Sequence, residues 1–155
     1  MRIHELITPD RIRLSLPGSS KKRILEQMCE QLVPGAGLDF NTIFQAIFER
    51  ERIGSTAIGQ GIALPHGRLK GLQQAIGAFA VLEHPIDFDA ADQQPVTMVF
   101  ALLVPEEATE EHLQLLSQLA KIFNNKQARE KLAHAETPEI AYNLFKSLNP
   151  DQAVA

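Results

Sequence analysis

Apolar side chains fall into helical stripes near both ends of this chain and into unbroken runs in its middle. After Pro17-Gly18-Ser19-Ser20, residues Ile24, Leu25, Met28 and Leu32 stand at i, i+1, i+4 and i+8, one face of a helix that Pro34-Gly35 is expected to stop. A second helix opens near Asp39 or Asn41, carries Ile43, Phe44, Ile47 and Phe48 as its stripe, and ends before Gly54. Ala75 to Leu82 and Val96 to Val104 are apolar at successive positions, as central strands covered on both faces are. Before them, Gly54 to Gly67 reads GSTAIGQGIALPHG, with four glycines and one proline in fourteen residues. That composition predicts a loop, with Ile62-Ala63-Leu64 able to pair as a short strand. Thr109 opens a third helix, with Glu110 and Glu111 in the first turn where the dipole favours anions. Shorter helices follow around Gln127–Ala133 and Pro138–Leu148. Helices, then strands, then helices predict an α/β layered domain.

Composition narrows the class. At 155 residues the chain fits one domain, and 45% hydrophobic with 22% charged residues excludes a disordered or fibrous protein. Fifteen Lys and Arg against nineteen Asp and Glu leave no cationic excess to displace counterions from a nucleic acid, so none is expected as a partner. The longest apolar run, Val96–Val104, falls far short of the ~20 residues of a membrane helix, and no membrane insertion is expected. Met1 to Leu6 is charged and lacks an apolar leader segment, which predicts a cytoplasmic protein. Cys29 is the single cysteine, set among Leu25, Met28 and Leu32, and reads as a core residue. Lys21, Lys22 and Arg23 oppose the dipole of the first helix, at roughly 0.3–1 kcal/mol each, and read as a solvated basic patch or a dock for an acidic surface.

Candidate chemistry gathers around the glycine-rich loop. Gly54, Gly59, Gly61 and Gly67 let backbone N–H groups approach an anion. Leu64 stands where a dinucleotide fingerprint needs a small residue, and Gly67 is followed by Arg68-Leu69 rather than Lys-Ser/Thr, so nucleotide binding is disfavoured. His66, between Pro65 and Gly67, is either a poised nucleophile or a turn histidine bonded to a carbonyl. His112 projects from the buried side of a helix start, where N–H groups favour an anion and lower an imidazole pKa; the alternative is a satisfied core histidine. Arg50 sits at the edge of the second helix's stripe, able to clamp a phosphoryl group or to pair with Glu49 or Glu51. Arg52 points the opposite way, and His4, His84, His134 and the run Asp87, Asp89, Asp92 read as structural or solvated. No metal-ligand spacing is present, and neither a metal nor another cofactor is expected.

The string Arg50-Glu51-Arg52-Ile53-Gly54-Ser55-Thr56, followed by Gly59-Gln60-Gly61-Ile62-Ala63-Leu64-Pro65-His66-Gly67, closely resembles the phosphorylation site of the phosphotransferase-system enzyme IIA domains of the mannitol/fructose class. The resemblance continues through Phe88-Asp89-Ala90, Gln94-Pro95-Val96, Phe100–Pro105, Glu111-His112-Leu113 and Leu116–Ala120, and spans about Leu6 to Leu148. Within the class the chain looks most like the free-standing nitrogen-branch members. It implies an α/β fold with a small mixed sheet covered by helices on both sides, as one IIA domain over residues 1–155. It also implies that His66 carries a phosphoryl group stabilised by Arg50 and His112, with Gly54, Ser55, Thr56, Gly59, Gly61 and Gly67 as a phosphate loop.

The implied function is a phosphocarrier. It would take phosphate from an HPr-like protein and regulate partners such as potassium transporters or sensor kinases by its phosphorylation state. With no IIB or transporter domain attached, it would meet donor and target as separate proteins. The alternative within phosphotransfer passes the phosphate to a IIB component for fructose or mannitol uptake. A third possibility, from a different class, is an interaction module whose histidines are never phosphorylated.

Overall fold

Alternation along the two long apolar runs generates two cores. The computed structural model describes residues 1–148, so the last seven positions of the expected domain, 149–155, lie outside the described residues. The elements run β1 (Ile12–Leu16), α1 (Lys21–Ala36), α2 (Phe40–Ile53), β2 (Ala57–Gly59), β3 (Ile62–Ala63), β4 (His66–Leu69), β5 (Ile76–Ile86), β6 (Val96–Pro105), α3 (Thr109–Phe123), α4 (Lys126–Ala133) and α5 (Pro138–Ser147). Strands β5 and β6 pair antiparallel at the centre, with Phe79 opposite Phe100 and Ala78 opposite Ala101. Ala78, Ala80, Val99, Ala101 and Leu103 point to one face, where Ile24, Leu25, Met28 and Leu32 of α1 and Ile43 and Ile47 of α2 cover them. Phe79, Phe100, Leu102 and Val104 point to the other, under Leu115, Leu119 and Phe123 of α3 and Phe145 of α5. Period two in the strands thus sorts one sequence into two layers. The expected mixed sheet covered by helices on both sides is the observed architecture.

The sheet order is β1-β5-β6-β3-β2, with β4 also on β6. β3 and β4 lie in series along one edge of β6 and both run parallel to it, Ile62 opposite Met98 and His66 opposite Leu102. The break between them is Leu64-Pro65, where Pro65 has no N–H to give but its carbonyl still accepts from the Leu102 N–H at 2.9 Å. His66 is thereby fixed in register at the sheet's edge.

Three elements differ from those expected. β1 was not foreseen; it pairs parallel with β5, Ile12 opposite Phe79. Helix α1 does not stop at Pro34-Gly35 but runs to Ala36 and ends on Gly37, whose φ of 67° is the left-handed cap glycine adopts readily. Pro34 falls in the last turn, and its missing N–H orphans only the carbonyl of Glu30, an exposed residue. The 54–67 segment is more ordered than a loop, since β2 and β4 form there beside the expected β3. Cys29 is fully buried, and burial pushes its thiol up to about 12, so it is an inert core residue.

Candidate functional site

Three elements deliver three side chains to one cleft of about 820 Å³. His66 comes from the start of β4, Arg50 from the last turn of α2 and His112 from the first turn of α3. The helices belong to opposite layers, so the site exists only where both pack on the same end of the sheet. Gly67 sets the α2 side: a Cβ there would stand 3.2 Å from the backbone carbonyl carbon of Ala46. Its absence lets the helix lie directly on β4, and Arg50, one turn beyond Ala46, reaches the histidine's cleft.

The His66 Nδ1 lies 2.7 Å from the Leu64 carbonyl oxygen. A carbonyl only accepts, so Nδ1 carries the proton and Nε2 keeps its lone pair. The His112 ring stands edge-on to His66, centroids 5.0 Å apart and planes at 70°. His112 Nε2 is buried without a hydrogen-bond partner among the described residues. A buried polar atom left unpaired is costly, and this one belongs to a residue that lines the same cleft as His66 and Arg50.

Both imidazoles are held neutral. Burial is the largest cause of the lowered His66 pKa, and the Arg50 guanidinium adds to it, while the bond to Leu64 and the charge of Glu51 act the other way. His112 is pushed down to about 4 by burial first, then by His66, Arg68 and Arg50. Burial and the neighbouring cations, rather than the expected helix N-terminus, lower it.

Arg50 pairs with neither Glu49 nor Glu51. Its Nη1 donates to the Gly54 carbonyl at 2.8 Å, and Glu49 takes Arg52 instead at 3.2 Å. Arg68, Lys70, Thr109 and Glu106 also line the cleft, and Arg68 Nη1 donates to Thr109 Oγ1 at 3.1 Å. Thr109 does not cap α3: the cap position is Ala108, with no side-chain bond. Arg68 was missed as a cleft residue, although its place two residues after His66 on a strand was the available signal.

Gly67 lies in the cleft wall, whereas Gly54, Ser55, Thr56, Gly59 and Gly61 do not line it. Ser55 Oγ donates to the Phe88 carbonyl, and Thr56 gives both its N–H, at 2.8 Å, and its hydroxyl to the Glu51 carboxylate. Gly59 and Gly61 supply positive φ, 92° and 78°, to the turn between β2 and β3, against Asp92 and Thr97. Of the segment expected to cradle phosphate, Gly67 lines the cleft, while Ser55 and Thr56 bond to the scaffold. Lys21 likewise leaves the expected basic patch, with its Nζ 3.0 Å from Glu51. Among the described residues no group of three or more His, Cys, Asp or Glu is placed to hold a metal ion, and no helix is long and apolar enough to cross a membrane.

The chain belongs to the family described as phosphoenolpyruvate-dependent sugar phosphotransferase system, EIIA 2, whose model matches residues 5–148. Over 153 residues it is 45% identical to the nitrogen regulatory protein of Pseudomonas aeruginosa, covering 98% of this chain and 99% of that one. The crystal structure of nitrogen regulatory protein IIA-Ntr from Neisseria meningitidis superposes with a TM-score of 0.88 at 42% identity, over 92% of this chain and 98% of that one. Mannitol IIA from Escherichia coli shares the fold at a TM-score of 0.76 and 22% identity, covering 90% of this chain and 98% of that one.

Proposed function

We propose that this protein is a phosphocarrier that accepts a phosphoryl group on His66 Nε2 from an HPr-like protein and acts in the cytoplasm as a phosphorylation-dependent regulator of the nitrogen branch. The observation that carries the reading is the His66 Nδ1 to Leu64 carbonyl bond, which leaves Nε2 as the free nucleophile in a cleft shared with Arg50 and His112.

The His66 Nε2 lone pair attacks the phosphorus of the donor's phosphohistidine, whose ring is protonated on its other nitrogen. The donor's P–N bond breaks, its electron pair returns to that ring, and the donor leaves as neutral imidazole. His66 becomes the protonated phospho-imidazole, its Nδ1–H still donating to Leu64. Charge and atoms balance without a further reactant. Phosphoryl transfer passes through a loose transition state, so the protein contributes placement and charge. Arg50 has N–H groups beyond the one given to Gly54, and these are available to the equatorial oxygens. His112, neutral by virtue of its lowered pKa, offers an N–H donor without repelling an incoming cationic donor ring.

The phosphoryl group adds about −1.5 to −2 charge to the cleft. That change, on a surface with exposed Ile53 and Leu113, is the switch a partner reads. Names of relatives support the nitrogen branch; potassium transporters and sensor kinases are partner types implied by the family resemblance alone. The family's description as a sugar system favours a second reading, transfer onward to a IIB component for fructose or mannitol uptake. Incubation with phosphoenolpyruvate, enzyme I and the HPr-like carrier should give an acid-labile phosphate on the wild type and none on His66→Ala. Equal labelling of His66→Ala overturns the assignment. Onward transfer to IIB and then to sugar decides for the second reading.

A further inference from the structure

Residues Ile43, Ile47 and Glu51 recur every fourth position on the inner face of α2, so the third place of a buried stripe holds a carboxylate that is only 6% exposed. A buried carboxylate is tolerated only with its charge and lone pairs met. Every partner here belongs to the scaffold behind the cleft. Glu51 Oε2 lies 3.0 Å from Lys21 Nζ and accepts the Thr56 N–H at 2.8 Å, and Oε1 accepts the Thr56 hydroxyl. Lys21 stands in the first turn of α1, against the helix dipole, and Glu51 accounts for that placement. Its ammonium also approaches the Phe88 carbonyl at 3.4 Å and Asp89 at 3.6 Å, and it stands 5.4 Å from the centre of the Phe88 ring.

The hydrogen bonds continue from Thr56 to the histidine. The Thr56 carbonyl accepts the Leu64 N–H at 3.0 Å, and the Leu64 carbonyl accepts His66 Nδ1–H at 2.7 Å. On the other side, neighbouring Arg50 holds the Gly54 carbonyl. Two consecutive residues of α2 therefore grip the turn that follows it, one by a carbonyl and one by an N–H. We infer that Glu51, with Lys21 as its counter-ion, is a positioning residue for phosphoryl transfer: through Thr56 and Leu64 it fixes the tautomer and orientation of His66. It does not line the cleft and so has no part in docking the donor.

This inference rests on His66 being the acceptor. Glu51→Gln keeps the shape but loses the charge held by Lys21 and weakens the grip on Thr56. Its turnover with the phosphorylated HPr-like donor should fall about 10- to 100-fold, as losses of supporting shells and small misplacements do. KM for the donor should stay unchanged. Thr56→Val should slow turnover in the same way, and the double variant should lose no more than Glu51→Gln alone, because the two act as a unit. Nitrogen-15 NMR of the unphosphorylated protein should show His66 protonated at Nδ1 in the wild type and as mixed tautomers in Glu51→Gln. Arg23→Ala, which removes exposed ion pairs elsewhere on α1, serves as the control with unchanged turnover.

Unchanged turnover in Glu51→Gln, additive losses in the double variant, or an unaltered tautomer overturns the inference. Should Glu51→Gln not fold, Thr56→Val carries the same turnover and tautomer measurements with the Lys21–Glu51 pair intact. A wild type that takes no phosphate on His66 refutes the proposed function instead, and the tautomer measurement still judges the role of Glu51.

Discussion

One carbonyl, that of Leu64, decides which nitrogen of His66 is free, and the phosphate is therefore expected on Nε2. A phosphorus–nitrogen coupling to the nitrogen remote from the side-chain attachment checks this, and coupling to Nδ1 refutes it. The neutral state of the neighbouring ring has a cost with a definite sign. The pKa of His112 is about 4 in the folded chain against an ordinary 6.5, so the unfolded chain binds more protons between those pH values. Stability from this group is complete above pH 6.5 and is lost as the pH falls toward 4. Urea midpoints should drop over that interval, and His112→Gln should drop less than the wild type; equal slopes would show that other groups govern the acid limb. That His66, Arg50 and His112 share one cleft was legible through the resemblance of the loop string, because the local pattern left each of them a structural alternative. Glu51 was not, because within Glu49-Arg50-Glu51-Arg52 it reads as one more surface charge. Only the four-residue spacing from Ile43 and Ile47 distinguishes it.

At the scale of elements, the contact between α2 and β4 sets the geometry of the site. Ile43 and Ile47 bury this helix against the sheet, about 1.5–3 kcal/mol for each side chain. The Gly67 gap lets the backbones close up. Gly67→Ala must push Ala46 away or distort β4, and overpacking of this kind costs about 1–3 kcal/mol. The expected result is a lower urea midpoint together with slower labelling of His66, because Arg50 moves with the helix. Wild-type labelling in a folded Gly67→Ala protein would separate the helix position from the chemistry. The long elements were readable since their apolar periods are strong: α2 ends where Gly54 stands, β5 takes up the first apolar run from Ile76, and β6 contains the second. The short strands were harder. In β1, Ile12, Leu14 and Leu16 do alternate with Arg13 and Ser15, a period-two signal only five residues long. In β4, His66-Gly67-Arg68-Leu69 has no strand preference at all, and pairing with β6 imposes its conformation. Phe48, expected in the α2 stripe, is 36% exposed, its ring 5.4 Å from that of Phe44 and tilted by 32°.

Across the whole molecule, a formal charge of −4 coexists with a cleft whose lining holds Arg50, Arg68 and Lys70 against Glu49 and Glu106. On the proposed function, phosphorylation would reverse that local balance, since about −1.5 to −2 charge outweighs an excess of one cation. The proposed donor would bind before the charge arrives, when the cleft is cationic, and the surface that remains for affinity is apolar. Ile53, 84% exposed at the end of α2, and Leu113, 64% exposed on α3, stand on the two helices that flank His66. Isolated exposed leucines and isoleucines need no explanation, but two on opposite walls of one reactive cleft form a rim that a partner can cover. Leu113→Asp or Ile53→Asp should raise KM for the phosphorylated donor about 5- to 10-fold, the effect of losing one useful interface contact. Turnover at saturating donor should be retained, because neither side chain touches the imidazoles' hydrogen bonds. The opposite split, lower turnover with unchanged KM, would place these residues with Glu51 in orienting His66, and an unchanged KM and turnover would move the donor's footprint off this rim altogether.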